Sequence, residues 1–393
     1  MKIGILGFGT VGSGVYEILT ENKNSMLKNI EISKIFIRNK NKLSKSNMTL
    51  NIDEVLDDDS IDLIVEVMGG IHPAYEYIMR ALKSKKHVVT ANKAVVAKYL
   101  NEFTHVANEN NVAFIYEASV GGGIPWVKSI KQAKRIDEIT EVKGIFNGTS
   151  NFILYNMFKM GYDFNDILKI AQEKGYAEAD PSADIDGIDI QRKLAITSSL
   201  AFDTIVTEEN IPVFGIRNVS KNDIDYFKKQ NLTLKLIAES VRDNDNFCSC
   251  VEPVLFSNNS IEANVSENFN IGSLTGSTIG ELKFYGQGAG KLPTGNAIVQ
   301  DIIDIYTGGH KNYPYSFDKK LGLNQNLIKG KYYVRFEHEE SSEILKSVKE
   351  LSFKLPLSDY YVIITKEIPL SDAQNLFREL EKTETNLFYA RYN

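Results

Sequence analysis

The stretch "KIGILGFGTVGSGVYEILTEN" at the start of the chain restricts the fold more than any other segment of its 393 residues. Residues 2–6 form a short apolar run. Gly7, Gly9 and Gly12 then fall in GxGxxG spacing, and "SGVYEILTEN" has helical periodicity. Strand, glycine turn and helix in direct succession are the setting in which this spacing binds a dinucleotide. Gly7 permits the tight turn. Gly9 lets a pyrophosphate reach backbone amides, and Gly12 lets helix and strand pack closely. A glycine-rich turn in another α/β fold is the competing reading.

Later segments keep the pattern. Apolar runs at "IEISKIFIR" (30–38), "IDLIVEVMGG" (61–70), "HVVTANKAVVA" (87–97) and "VAFIYEASVGGGIP" (112–125) alternate with helical segments. That alternation predicts an α/β, doubly wound, mostly parallel Rossmann sheet over residues 1–130. Ligands of such sheets sit beyond the carboxyl ends of the strands. Gly69, Gly70, Thr90, Asn92, Lys93 and the glycines at 121–123 fall at those ends. The second strand ends at Ile37 and Arg38, where NAD enzymes usually place an acid for the ribose 2′-hydroxyl. Arg38, with Lys40 and Lys42 behind it, favours a 2′-phosphate, so NADP is expected over NAD. A solvated basic loop is the alternative.

Bulk composition narrows the remaining classes. The length exceeds one core and predicts two or three domains. A net charge of −6, spread along the chain, argues against a nucleic-acid partner and offers no basic patch for a membrane. No apolar run approaches the ~18 residues of a membrane span, and the N-terminus lacks a signal-peptide pattern. Cys248 and Cys250 cannot make a disulfide framework and are poorly spaced for zinc. The five histidines are scattered, so a transition-metal site is not expected. A reduced, cytoplasmic enzyme is the reading these features favour.

The segment "DIDGIDIQRKLAI" (184–196) reads as a helix heading into a core, yet it carries Asp184, Asp186, Asp189, Arg192 and Lys193. Asp189 and Lys193 are four apart and share a helix face. On a solvated face the pair is worth only about 0.3–0.5 kcal/mol and has no function. Aimed into a site, it is an acid beside an amine.

Six segments in order, "GFGTVG", "VTANKA", "EASVGGGIP", "NGTSNFIL", "GYAEADPSADIDGIDIQRKLAI" and "GAGKLPTGNAIVQDI", resemble the homoserine dehydrogenases. The resemblance covers roughly residues 1–310. It implies reversible NAD(P)-dependent interconversion of L-homoserine and L-aspartate 4-semialdehyde, on the route to threonine, methionine and isoleucine. It implies Lys193 as the acid/base, with Asp189 beside it, and Glu178 binding the substrate amino group. Lys93 matches a lysine between nicotinamide and substrate. Gly148, Thr149 and Tyr176 match the substrate pocket. Gly7, Phe8, Gly9, Thr10, Val11, Gly12, Arg38, Gly288 and Gly290 are expected at the cofactor. Glu117, Val120, Gly122 and Ile124 match a monovalent-cation site, where sodium is held mainly by backbone carbonyls. The segment at 287–312 is expected to complete the first domain. Residues 131–310 are expected to form an α+β catalytic domain whose open sheet makes a homodimer. The chemistry agrees: oxidising an alcohol needs a base, and a lysine whose pKa is lowered by burial beside a second lysine can serve. The substrate ammonium needs a carboxylate, from Glu178 or Asp189.

Beyond residue 330 the pattern reads βαβαβ: strands at 330–340, 359–370 and 385–392, helices at 341–355 and 371–382. This is expected to be a shortened ACT-like module. The glycine-bearing turn usual after its first strand is replaced by "EHEESSE", which puts threonine feedback in doubt. Two other readings compete with the enzyme. A silent NADP-binding regulator is disfavoured because Lys93, Lys193, Glu178 and Asp189 are all present. A related enzyme acting on the acyl phosphate of aspartate needs a cysteine nucleophile near the nicotinamide, and both cysteines lie far from the motifs.

Overall fold

The computed structural model describes residues 1–312 and 316–393, and the side chains of Lys42 and Asn312 lie outside the described part. The residues group into two compact units. The first comprises Met1–Glu138, Ala195–Thr207 and Phe284–Lys319. The second comprises Ile139–Leu194, Glu208–Lys283 and Lys320–Asn393.

In the first unit, strands β1 (Lys2–Leu6), β2 (Glu31–Phe36), β3 (Met48–Thr49), β4 (Leu63–Glu66), β5 (His87–Thr90) and β6 (Phe114–Ile115) form one sheet in the order β3-β2-β1-β4-β5-β6. All five strand pairings are parallel. Ile3, Ile5, Leu63, Val65 and Val89 are fully buried, because helices cover both faces of such a sheet and make its strands continuous apolar runs. Its helices are α1 (Thr10–Glu21), α2 (Asp53–Leu56), α3 (Ala74–Lys83), α4 (Lys93–Glu109) and α5 (Trp126–Ala133). A later helix, α11 (Lys291–Tyr306), packs Ala297, Ile298 and Ile302 into the same core as Val15 of α1 and Ile3 and Ile5 of β1. The order of strands reverses between β1 and β4. That switch point is where a doubly wound sheet opens a crevice at its carboxyl edge.

The second unit is built on a mixed sheet. Strands β7 (Ile139–Ile145), β8 (Leu232–Asp243), β9 (Asn246–Ser257), β10 (Phe269–Gly276) and β11 (Gly280–Gln287, its residues from Phe284 counted with the first unit) lie in the order β11-β10-β7-β8-β9. Helices α6 (Gly148–Met160), α7 (Phe164–Glu173), α8 (Ser182–Ile185), α9 (Ile188–Phe202, its residues from Ala195 counted with the first unit) and α10 (Lys221–Lys229) accompany it. Strand β10 falls within a glycine-rich stretch whose sequence suits turns as well as it suits a sheet. Ile145, Ile237, Val254, Phe256 and Ile271 make a core cluster of this unit.

The tail joins the same sheet. After the two-residue strands β12 (Gly322–Leu323) and β13 (Lys329–Gly330) come β14 (Tyr332–Phe336), β15 (Lys349–Lys354), β16 (Tyr361–Thr365), the short β17 (Ile368–Pro369), helix α12 (Leu370–Leu380) and β18 (Phe388–Tyr392). The sheet continues from β9 as β18-β14-β16-β15. β18 pairs parallel with β9, and the other three pairs are antiparallel. The helix expected at 341–355 does not form. A 3-10 turn at Glu339–Glu343 and the edge strand β15 stand there instead. Leu351, Phe353 and Leu355 alternate as a strand requires, and pairing with β16 decides between the two periods.

Candidate active site

In the second unit the expected pair is buried. Asp189 and Lys193 lie on the first two turns of α9, 4% and 9% exposed. Lys193 Nζ donates to Asp189 Oδ2 at 2.7 Å and to the Phe146 carbonyl at 2.6 Å. Phe146 follows β7 and precedes Asn147, which caps α6 by accepting the Ser150 amide at 2.8 Å. The Asn147 amide group points the other way. It donates to Asp189 Oδ2 at 2.9 Å and to Asp184 Oδ1 at 2.7 Å. One asparagine therefore terminates a helix and ties two carboxylates together. Burial lifts the Asp184 carboxyl above its ordinary range, and the nearby Asp189 charge adds to this against the Asn147 bond.

The three aspartates of the motif part ways. Asp186 pairs with Arg217 at 2.6 Å on the surface, while Asp184 and Asp189 turn inward. Arg192 meets Glu208 at 3.2 Å. The expected pocket residues arrive by a second route. Thr149, on the first turn of α6, donates its hydroxyl to the Tyr176 carbonyl at 2.6 Å, so the 175–180 loop is pinned beside the α6 N-terminus. Glu178 is exposed, and its carbonyl accepts from Gln172 at 3.1 Å. Sequence reasoning did not place Asn147 or Asp184 in the site. The available signal was the capping position of Asn147 before "GTSNF".

The first unit carries the expected cofactor turn. Gly7 leaves β1 at φ +106°, and a Cβ on Gly12 would stand 2.3 Å from the Gly7 carbonyl, so a side chain there would part helix from turn. Beyond Gly9 the space is open, with nothing within 4 Å of where a Cβ would be. Gly9 caps α1 with no side-chain bond. The first amides of α1, from Thr10 and Val11, thus have the arrangement that receives a phosphate at a helix N-terminus. Phe8 packs edge-on against Tyr16, with ring centroids 5.6 Å apart. Arg38 lies exposed just past β2. Lys93 is the first residue of α4, directly after its capping residue Asn92.

The glycines at 121–123 and at 286–290 meet within this unit. The Gly123 amide donates to the Gln287 carbonyl at 3.1 Å. Gly122, at φ +58°, lies so close to Gly288 that a Cβ would stand 2.4 Å from its backbone. Gly290 caps α11. Glu117 is buried, and its two carboxylate oxygens accept the Val127 and Lys128 amides at 2.9 and 2.7 Å, at the start of α5. Burial pushes its carboxyl up to about 7. The Ile124 carbonyl accepts the Trp126 amide at 2.7 Å. Among the described residues, the Val120 and Gly122 carbonyls accept no hydrogen bond. The Glu117 carboxylate is itself satisfied as the acceptor at the start of α5.

Residues 125–303 match the homoserine dehydrogenase family, and residues 7–117 match the NAD binding domain of homoserine dehydrogenase. The homoserine dehydrogenase of Synechocystis sp. is 42% identical over 316 residues, covering 78% of this chain and 73% of the relative. That of Bacillus subtilis is 36% identical over 342 residues, covering 85% and 77%. The crystal structure of a homoserine dehydrogenase from Thiobacillus denitrificans superposes with a TM-score of 0.89 at 31% identity, covering 100% of this chain and 98% of that one. On these likenesses, extending over both units, the chain belongs to the homoserine dehydrogenase family.

Proposed function

We propose that Lys193 carries the proton in the reaction of this family, the interconversion of L-homoserine and L-aspartate 4-semialdehyde with a nicotinamide cofactor. The observation that carries this is the burial of Lys193 Nζ between the Phe146 carbonyl and Asp189. The nicotinamide, when bound, accepts or returns the hydride. As the neutral amine Lys193 takes the hydroxyl proton of homoserine in oxidation, and as the ammonium it returns a proton to the nascent alkoxide in reduction. Asp189, fixed by Asn147, orients the lysine. Glu178, exposed beside the pinned loop, takes the substrate ammonium, and Gly148, Thr149 and Tyr176 line that pocket.

The cofactor is NADP in this reading. Residues Gly7–Gly12 hold the pyrophosphate, and Arg38 meets a 2′-phosphate where an acid would have met a hydroxyl. Lys93 at the start of α4 and the turn of Gly288 and Gly290 complete the set. The carbonyls of Val120, Gly122 and Ile124 with Glu117 hold sodium, whose charge would fix the 120–124 loop. The 4-1-3-2 order of the tail strands β14, β15, β16 and β18 supports an ACT-like module, and the open sheet of the second unit a homodimer. No described helix is long and apolar enough to cross a membrane, in keeping with a cytoplasmic enzyme.

The test follows reduced nicotinamide with L-homoserine, comparing NADP⁺ with NAD⁺ and wild type with Lys193→Ala. Loss of an acid/base group should lower kcat by about 10²–10⁴-fold with cofactor binding retained. A variant that turns over as wild type does would remove Lys193 from the chemistry.

A further inference from the structure

The carboxyl edge of the first unit contains an acid that the reaction does not use. Glu66 is the last residue of β4 and is fully buried. Its Oε1 accepts the Met68 amide at 2.8 Å, and its Oε2 accepts the Thr90 hydroxyl at 2.6 Å. The Asn92 amide group lies 3.5 Å from Oε1 and donates to the Gly70 carbonyl at 2.6 Å. Thr90 Oγ1 in turn accepts the Asn92 amide N–H at 3.0 Å. Three pieces of chain are tied to this one carboxylate: the 67–70 turn after β4, the end of β5, and the cap of α4.

Position gives the knot its meaning. In the sheet register Glu66 lies beside Leu6 on one side and Thr90 on the other. The Gly7 turn therefore starts next to it. The 67–70 turn presses on that glycine, since a Cβ on Gly7 would stand 2.9 Å from the Val67 carbonyl. Asn92, fixed from both sides, is followed by Lys93. A core that needed only filling would take an apolar residue at lower cost than a buried acid with three ties.

We infer that Glu66 is a positioning residue of the cofactor edge, holding the 67–70 turn and the start of α4, and through them the bound nicotinamide cofactor and Lys93. This rests on the reading of the 7–12 turn and Lys93 as the cofactor site. Burial lifts the Glu66 carboxyl above its ordinary range, against the Thr90 and Met68 bonds. Glu66 touches neither substrate nor reacting atoms, so its loss should act on geometry and leave the proton steps alone.

Glu66→Ala, Glu66→Gln and Thr90→Val separate these roles, read by kcat, cofactor KM, NADPH binding by fluorescence, melting temperature and pH–rate profile. Misplacement of bound groups by about an ångström costs up to ~10²-fold. Glu66→Ala should accordingly lower kcat and raise cofactor KM, together by roughly 10–100-fold in kcat/KM. The midpoints of its pH–rate profile should stay in place. Glu66→Gln keeps an acceptor oxygen and should recover most of the loss. Where Glu66→Ala fails to fold, Thr90→Val removes the hydroxyl that links Glu66 to the Asn92 amide while keeping the carboxylate and its Met68 bond, and should show the same pattern more weakly. Unchanged kcat and KM at a lowered melting temperature would reduce Glu66 to a structural acid. A displaced pH–rate midpoint would make it a proton donor, and either result overturns the inference. Gly9→Val guards the underlying reading. NADPH binding that survives it would sink the cofactor site, whereas binding that is lost while the Glu66 variants stay silent would sink only the positioning role.

Discussion

Lys235 offers a quantitative test of how the second unit is held together. It lies on β8, 1% exposed, with Nζ donating to Asn151 Oδ1 at 2.8 Å and to the Val265 carbonyl at 2.6 Å. Neither partner is charged. Burial, with a smaller contribution from Lys159, brings its pKa down to about 7. In the unfolded chain the value is about 10.4. The folded state therefore binds fewer protons than the unfolded state between these values, and stability rises with pH across that window. Integrated from pH 7 to pH 10, the gain is about 3–4 kcal/mol. Lys235→Met fills similar volume, has no such gain, and leaves Asn151 Oδ1 without its donor at a cost of about 1–3 kcal/mol. The Val265 carbonyl keeps its bond from the Asn151 amide at 3.2 Å. The two proteins should exchange places: the variant melts higher at pH 7, and wild type draws level or ahead by pH 10. In a unit of this size the difference in melting temperature should swing by roughly 10 °C. Groups titrating in both proteins cancel in that difference. A difference that stays flat from pH 7 to pH 10 would mean that two neutral oxygens suffice to keep a buried ammonium charged, and the reasoning from burial would fail.

The cofactor reading predicts that Arg38→Ala raises the KM for NADP⁺ by about 10–100-fold, the worth of a charge-assisted hydrogen bond, and leaves that for NAD⁺ alone. Equal effects on both would return Arg38 to a solvated loop. Arg391, on the last strand, is buried between Glu239 and Glu252, with Nε 2.5 Å from Glu252. Arg391→Met strands Glu252, leaves Glu239 only Lys143 at 3.8 Å, and should cost about 3–5 kcal/mol, seen as a lowered melting temperature, with much of it regained when Glu239→Gln and Glu252→Gln are added. A melting temperature near wild type for Arg391→Met alone would show that water reaches the pair.

Local chemistry is readable in this sequence and sheet pairing is not. The turn from Gly7 to Gly12 declares itself because the residues that need one another are neighbours in the chain. The stretch 341–355 does not declare itself. Ile344, Leu345 and Val348 suit a helix, while Leu351, Phe353 and Leu355 suit a strand, and only the pairing of β15 with β16 decides. Glu66 escapes sequence reasoning for a related reason. A glutamate ending an apolar run is unremarked in sequence, and its partners at Thr90 and Asn92 come together only through the register of β4 with β5.

The pair Asp189–Lys193 shows how far spacing alone can carry a functional reading. Four residues on one helix bring an acid and an amine together whatever surrounds them, so the spacing cannot tell a solvated ornament from a working group. What separates the two is supplied from more than forty residues earlier, where β7 ends at Phe146 and Asn147. The Phe146 carbonyl takes a second proton of the lysine, and Asn147 takes the aspartate while capping α6. Burial and those bonds turn a weak surface pair into a fixed donor with a set direction. Asn147→Ala is therefore the sharpest probe of that step from spacing to site: it leaves Asp189, Lys193 and the Phe146 carbonyl in place and removes the amide that orients Asp189, while the lost α6 cap shows separately as a lowered melting temperature. It should lower kcat while the midpoints of the pH–rate profile persist, whereas unchanged kcat would mean that the helix and the Phe146 carbonyl aim the lysine without Asn147.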